Sequence, residues 1–137
     1  MPALDSCHMQ IVHALEKAGW QVAPKPADIL SPINTLYADI EAMRKTEDGD
    51  QEIIVLEAKC FSNPNATMPD LYMAIGQYLV YQDLMQRYGS NDPLYLAIPT
   101  KVYYGIFEPI AGSIADKNGI KFVLVNMEQE VIEKWLE

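Results

Sequence analysis

The sequence predicts a mixed α/β (α+β) fold, in which helices flank a central sheet. The apolar, β-branched run at residues 52–61 is typical of a buried strand. A long segment at residues 69–88, with the composition of a helix, follows it after a short loop. Strand and helix patterns alternate again after that helix, as in a sheet covered by helices. With 137 residues, the chain is expected to form one domain, residues 1–137.

The N-terminal half is predicted to contain one helix and three strands. Gly19 ends the apolar-periodic helix, and three prolines make residues 23–34 an irregular loop. A polar turn that contains Gly49 joins the last two strands into a hairpin. The predicted helix covers residues 4–18, and the strands cover residues 20–22, 35–43 and 52–61.

The C-terminal half is predicted to alternate helices with strands. Pro69 suits the first turn of the long helix, and Gly89 suits its end. A second helical stretch is expected to be interrupted near Pro109, and residues 130–136 fit either a strand or a short helix. The predicted helices cover residues 69–88 and about 101–117, and the strands cover residues 94–98 and 120–125.

The composition limits the classes of function. The chain has 19 acidic residues and 10 Lys and Arg, a net charge of −9, so the free protein should bind nucleic acid weakly. No apolar run approaches the ~20 residues that span a bilayer. The N-terminus lacks the pattern of a signal peptide, which makes the cytoplasm the expected location.

The cysteines and histidines do not predict a metal centre. Cys7 and Cys60 are too few for a disulfide framework, and Cys60 is expected to be a small buried hydrophobic residue. On a helix, His8 and His13 project roughly 140° apart and cannot share a metal ion. The sequence therefore does not predict a zinc site.

The strand at residues 52–61 carries the main candidate site. Glu57 and Lys59 project from the same face of a strand. The hairpin brings Asp39 towards Glu57, and two adjacent carboxylates repel unless one is protonated or a cation lies between them. These carboxylates, with the Ala58 carbonyl, are ligands that suit Mg²⁺ or Mn²⁺. The alternative is that Glu57 and Lys59 are a charged pair on an edge strand, where charges oppose aggregation.

The long helix adds Gln77 and Tyr81, which share a helix face. Gln77 either reaches the edge of an active site or hydrogen-bonds a neighbouring strand carbonyl, and the sequence leaves both alternatives open. Tyr78 and Tyr81 are expected to be aromatic residues of the core or its rim rather than platforms for stacked bases. The candidate catalytic residues are therefore Asp39, Glu57, Lys59 and Gln77, with Asp39 and Glu57 as metal ligands.

This constellation resembles the PD-(D/E)xK nuclease superfamily, and Gln77 with Tyr81 resembles the Q-x-x-x-Y motif of its exonuclease-like branches. The chain as a whole resembles the XisH family, the excision controlling factors of filamentous nitrogen-fixing bacteria. The matching stretches are Ala14-Leu15 with Gly19-Trp20, Asp70-Leu71 with Ala74-Ile75-Gly76-Gln77-Tyr78, Leu94-Tyr95-Leu96-Ala97-Ile98-Pro99, Val102-Tyr103 with Gly105-Ile106-Phe107, and Ile132 with Trp135.

The resemblance implies a restriction-endonuclease-like core and a role in programmed excision of a DNA element that interrupts a ferredoxin gene. It implies partners, namely DNA, a large site-specific recombinase and a companion factor, XisI, and it favours a C-terminal strand. It places Asp39 and Glu57 at the metal positions and Lys59 at the catalytic lysine. The chain departs from the family by having Glu41 and Met43 after Asp39, and Cys60 where serine is commoner.

Two functions therefore remain open. The first is a Mg²⁺-dependent nuclease that uses Asp39, Glu57 and Lys59. The second is a regulatory protein that keeps the nuclease fold and assembles with a recombinase or companion, which the acidic charge favours. An enzyme of another class is a weaker alternative, because the chain has no Gly-rich phosphate loop and no Ser-His-Asp arrangement. Apolar helix faces also point to a homodimer or companion interface.

Overall fold

The structure, a computed structural model, describes residues 7–137. The first helix and five strands are α1 (His8–Lys17), β1 (Gln21–Val22), β2 (Ala27–Ile29), β3 (Leu36–Ala38), β4 (Ile40–Lys45) and β5 (Gln51–Ala58). After a 3₁₀ turn come α2 (Thr67–Arg87), β6 (Leu94–Pro99), α3 (Thr100–Val102), a π-helical segment (Tyr103–Phe107), α4 (Glu108–Lys117), β7 (Phe122–Asn126) and β8 (Val131–Leu136). Within residues 7–137, no helix is long and apolar enough to cross a bilayer.

Six strands form one mixed sheet in the order β1-β4-β5-β6-β7-β8. The three central strands, β5, β6 and β7, are parallel, while β1, β4 and β8 pair antiparallel with their neighbours. Strands β2 and β3 form a separate two-stranded antiparallel sheet. The predicted mixed sheet flanked by helices is confirmed.

The alternation of side chains along β5 separates two layers of the core. On one side, which we call the α2 face, Val55 packs with residues of α2, α4 and the β2–β3 pair. On the other side, the α1 face, Leu56 and Ala58 pack with α1 and Trp20. Because successive strand side chains point in opposite directions, Glu57 and Lys59 belong with Val55 on the α2 face.

Several predicted elements differ in detail from the observed ones. The expected irregular loop at residues 23–34 contains β2, because Ala27 and Ile29 bury their side chains while pairing with β3. The expected single strand at residues 35–43 is broken by a bend at Asp39 into β3 and β4. The second helical stretch changes to π-helical geometry before Pro109 rather than at it.

The helix and strand ends mostly follow the predictions. Helix α1 begins at His8, and the predicted start of this helix at residues 4–6 lies outside the described residues. Gly19 follows α1 with φ +93°, a backbone conformation that L side chains rarely adopt. Helix α2 begins at Thr67, which places Pro69 in its first turn. The C-terminal segment that fitted a strand or a helix is strand β8.

The expectation that Cys60 is an unlinked buried residue is wrong. Cys60 is buried, but it forms a disulfide with Cys7, and the two Cα atoms are 5.7 Å apart. Cys7 immediately precedes α1, and Cys60 lies just beyond the end of β5. The bond therefore ties the start of α1 to the chain segment that follows Lys59.

Candidate functional site

The bend at Asp39 and the end of β5 bring two carboxylates together. Ile40 pairs with Leu56, so Asp39 lies opposite Glu57 across the hairpin. The Asp39 N–H donates to Oε1 of Glu57 at 3.1 Å, and the Ala58 N–H donates to Oδ2 of Asp39 at 2.8 Å. Each side chain thus accepts a hydrogen bond from the other strand's backbone, which fixes both carboxyl groups at this point of the sheet.

Glu57 is the only charged residue buried among residues 7–137, and it is 4% exposed. Burial is the main cause that raises the pKa of the Glu57 carboxyl from an ordinary value of 4.5 to about 8, and the adjacent charge of Asp39 acts in the same direction. Lys59 acts in the opposite direction, since an ammonium group favours the charged carboxylate. A cation beside this pair would offset the repulsion between the two carboxylates, which is the second cause of the raised pKa after burial.

Lys59 faces Glu57 from just beyond the strand. Its N–H donates to the Ala97 carbonyl at 3.0 Å, so the segment continues the pairing with β6. The Nζ atom of Lys59 lies 3.9 Å from Oε2 of Glu57. Since β4 and β6 flank β5 on both sides, the alternative that Glu57 and Lys59 are an edge-strand pair is wrong.

Helix α2 places Gln77 and Tyr81 beside the carboxylates. The Tyr81 hydroxyl donates to the Tyr37 carbonyl at 3.4 Å. Burial raises the pKa of Tyr81, the charges of Glu57 and Asp39 raise it further, and a hydrogen bond from the Gln77 side chain lowers it. The Oε1 atom of Gln77 is buried and has no hydrogen-bond partner among residues 7–137. Gln77 therefore contacts Tyr81 and keeps one acceptor available.

The donor set fits a Mg²⁺-type ion better than a transition metal. Among the described residues, no three His, Cys, Asp or Glu side chains are grouped as a metal site. Mg²⁺ commonly binds one or two carboxylates and takes its other ligands from water and substrate phosphate. Asp39 and Glu57 supply two carboxylates, and the repulsion between their charges favours a cation beside them.

Solvent reaches the pair from the side of Asp39. Asp39 is partly exposed and lines a groove of about 340 Å³ with His8, Lys25 and apolar residues of α1. The buried Nδ1 of His8 has no hydrogen-bond partner among residues 7–137. No sequence pattern predicted that His8 would line this groove with Asp39, because the two residues are distant in sequence. Glu41 lines a different cavity, beside Leu84.

Comparison with known proteins identifies the family. The XisH protein family model matches residues 1–133. The chain belongs to the XisH family. An XisH family protein from Nostoc punctiforme PCC 73102 has a crystal structure that matches with a TM-score of 0.84 and 30% identity, covering 97% of this chain and 100% of that one.

A second crystal structure also matches most of the chain. It is that of a FdxN element excision controlling factor protein from Anabaena variabilis, which matches with a TM-score of 0.82 and 28% identity. The match covers 95% of this chain and 97% of that one. None of the curated proteins matches this XisH family chain.

Proposed function

We propose that this chain is a Mg²⁺-dependent, nuclease-like factor that acts on DNA phosphodiesters in the programmed excision of a DNA element. The observation that carries the proposal is the carboxylate pair of Asp39 and Glu57, with Lys59 beside it on a buried central strand. Membership of the XisH family, and the likeness to a FdxN element excision controlling factor protein, support the role in excision.

In this proposal the fold is a PD-(D/E)xK core in a single, cytoplasmic domain. The order of elements supports it, because an antiparallel hairpin carries Asp39 and Glu57 and a helix with Gln77 follows directly. The parallel pairing of β5 with β6 places Glu57 and Lys59 in the centre of the sheet. Burying the Glu57 carboxyl in a central strand next to Asp39 is energetically unfavourable, which supports a functional role for it.

Each residue of the site has a separate role towards a phosphodiester substrate. Asp39 and Glu57 would hold a Mg²⁺ or Mn²⁺ ion, which would supply Lewis-acid chemistry at the phosphodiester. The Lys59 ammonium stabilises the negative charge that develops on the phosphoryl group or orients the attacking water. The Gln77 amide, hydrogen-bonded to Tyr81, orients a water or substrate group through its unpartnered Oε1.

A second candidate function is regulatory, and the charge favours it. With a net charge of −9, the free chain repels the DNA backbone, so a basic partner is needed to bring it to DNA. Large apolar side chains are exposed on α2 and α4, among them Tyr72 (65%) and Ile110 (54%). Such side chains suit contact with a recombinase, an XisI-like companion or a second copy of the chain.

Metal binding measured by calorimetry is the first test. We expect Mg²⁺ or Mn²⁺ to bind the wild-type chain and to bind far more weakly to Asp39→Asn/Glu57→Gln, which keeps shape and removes charge. The matched control is Glu47→Gln/Asp48→Asn, which removes the same two charges from the exposed turn between β4 and β5. An equal loss of metal binding in both variants would show that the ion is held only by general electrostatic attraction. No metal binding to the wild type or to either variant would contradict the nuclease function and favour the regulatory one.

The cleavage test follows from Lys59. With Mg²⁺ and the partner present, we expect DNA cleavage that disappears with Lys59→Ala or with a chelator. A Lys17→Ala variant is the control, because Lys17 is exposed and its Nζ donates to the Gln129 carbonyl. Metal binding without cleavage in the free chain or the complex would favour the regulatory function.

A further inference from the structure

An aromatic cleft lies on the α1 face, away from the carboxylate pair. It has a volume of about 400 Å³, and its lining includes Trp20, Arg44, Glu52, Tyr95, Trp135 and Glu137. Glu52 precedes Glu57 by five residues on the same strand, a separation of about 16 Å at the rise of a β-strand. The cleft therefore lies on the opposite face and towards the opposite end of β5.

One half of the cleft already binds a guanidinium group. The Cζ atom of Arg44 lies 4.3 Å from the centroid of the Trp20 ring, within cation–π distance. Its Nε atom donates to Oε2 of Glu52 at 2.9 Å. An indole face and a carboxylate thus hold an arginine of the chain itself.

The other half repeats this combination without an arginine. Trp135 and Tyr95 meet edge to face at 5.1 Å between ring centroids, and the Tyr95 hydroxyl donates to Oε1 of Glu137 at 2.5 Å. Within residues 7–137, no basic side chain forms an ion pair with Glu137. Lys121 approaches only the Tyr95 ring, with Nζ 5.9 Å from its centroid. This half has the aromatic rings and the carboxylate that a guanidinium requires.

Trp20 contributes its ring to the cleft. The side chain is 4% exposed, and its indole Nε1 is buried with no acceptor among residues 7–137. A ligand in the cleft therefore contacts the Trp20 ring and not its Nε1.

We propose that the cleft is a docking site for an arginine side chain on a basic segment of a partner protein. The guanidinium lies between Trp135 and Glu137, beside Arg44. Complementary charge supports a basic protein, since the chain carries −9 overall. A nucleotide fits less well, because its phosphate would meet Glu52 and Glu137.

Tryptophan fluorescence tests this site directly, because the chain has only two tryptophans and both line the cleft. The probes are N-acetyl-arginine amide and N-acetyl-citrulline amide, which share shape but differ in charge, with guanosine monophosphate as the nucleotide. We expect a saturable change with the arginine probe, and binding about tenfold weaker with citrulline, as for loss of one charge-assisted hydrogen bond.

Two variants locate the response. Glu137→Gln should weaken arginine binding by about tenfold, whereas Glu128→Gln, an exposed acid on the turn between β7 and β8, should not change it. Equal responses to arginine and citrulline, tighter binding of the nucleotide, or no response would overturn the proposal. The Asp39→Asn/Glu57→Gln variant should keep the full response, so failure here and failure of the proposed nuclease function are distinguishable.

Discussion

The two faces of the central sheet are stabilised in different ways. On the α2 face, Glu57 is buried among apolar side chains, and Tyr81 from α2 lies near its carboxyl group. On the α1 face, the neighbouring residues Leu56 and Ala58 are buried against apolar side chains. The disulfide between Cys7 and Cys60 links the start of α1 to the chain that follows β5 on this face. The odd-numbered residue Glu57 of β5 therefore belongs to the candidate site, whereas the even-numbered residues Leu56 and Ala58 stabilise the core on the other face.

This division has an energetic reason. A buried carboxyl group destabilises a fold unless it is neutral or paired, and two neighbouring acids make the problem worse. Apolar burial on the opposite face and the covalent link at Cys60 offset such a penalty. We therefore expect changes on the α1 face to alter mainly stability, and changes on the α2 face to alter the response to pH and metal ions.

The largest effect should come from the disulfide. Reduction, or the Cys7→Ser/Cys60→Ser variant, should lower the free energy of unfolding by about 4 kcal/mol, the loop-closure value for a cross-link across 53 residues. Denaturant unfolding with and without reductant measures it. The double variant is its own control, because it has no other cysteine and should not respond to reductant.

The outcome decides how the two faces differ. If reduction leaves the unfolding midpoint unchanged, the α1 face is held by packing alone. If it abolishes Mg²⁺ binding while the protein stays folded, the link after Lys59 also positions the site, and the division between the faces is incomplete.

The next largest effect should be the pH dependence of the free energy of unfolding that Glu57 causes. Its carboxyl group has a pKa of about 8 in the folded protein and 4.5 ordinarily, so the folded protein retains a proton that the unfolded chain releases in this window. The free energy of unfolding therefore falls as pH rises from about 5 to 8. Glu57→Gln should remove this fall and be more stable than wild type at pH 8 by about 3 kcal/mol, with little difference at pH 5.

Added Mg²⁺ sharpens this measurement. Because the ion competes with the proton on Glu57, it should stabilise the wild type more at pH 8 than at pH 6 and leave Glu57→Gln unaffected. Glu47→Gln on the exposed turn should show the wild-type pH profile. A flat profile for the wild type would mean that Glu57 is ionised and paired, most directly with Lys59.

The sequence predicted the elements well where pattern alone determines them. Strand β5 and helix α2 were placed correctly because their apolar runs are long and bounded by glycine or proline. The bend at Asp39 was missed, since it depends on the reciprocal hydrogen bonds between Asp39, Glu57 and Ala58, which join residues on different strands. Strand β2 was missed because the prolines on both sides of it predict a loop. Its pairing with β3 is a contact that the local sequence does not show.

For the candidate site, too, features set by local sequence pattern were predictable and features set by long-range contacts were not. The shared face of Glu57 and Lys59 follows from strand periodicity, and was predictable. The disulfide was not, because two cysteines 53 residues apart carry no spacing signal. The aromatic cleft was equally hidden, since Trp20 and Trp135 are distant in sequence and meet only through the sheet, with ring centroids 6.1 Å apart.

The smallest expected effect on the free energy of unfolding is the difference between two Tyr→Phe variants, one on each face of the sheet. Tyr78, fully buried on the α2 face, donates to the Leu94 carbonyl at 2.7 Å and accepts from the Lys121 N–H at 3.1 Å. Tyr95, on the α1 face, donates to Glu137, whose carboxylate is exposed and can bond to water instead. Tyr78→Phe should therefore lower the free energy of unfolding by about 2 kcal/mol, because it leaves buried backbone groups unpaired.

Tyr95→Phe should lower it by only about 0.5 kcal/mol, because both partners of the lost bond remain solvated or apolar. Chemical denaturation of the two variants under one set of conditions measures the difference. Equal losses would show that the cleft is as closed to water as the core beneath α2. That result would remove the contrast between the faces and the room that an arginine side chain needs beside Glu137.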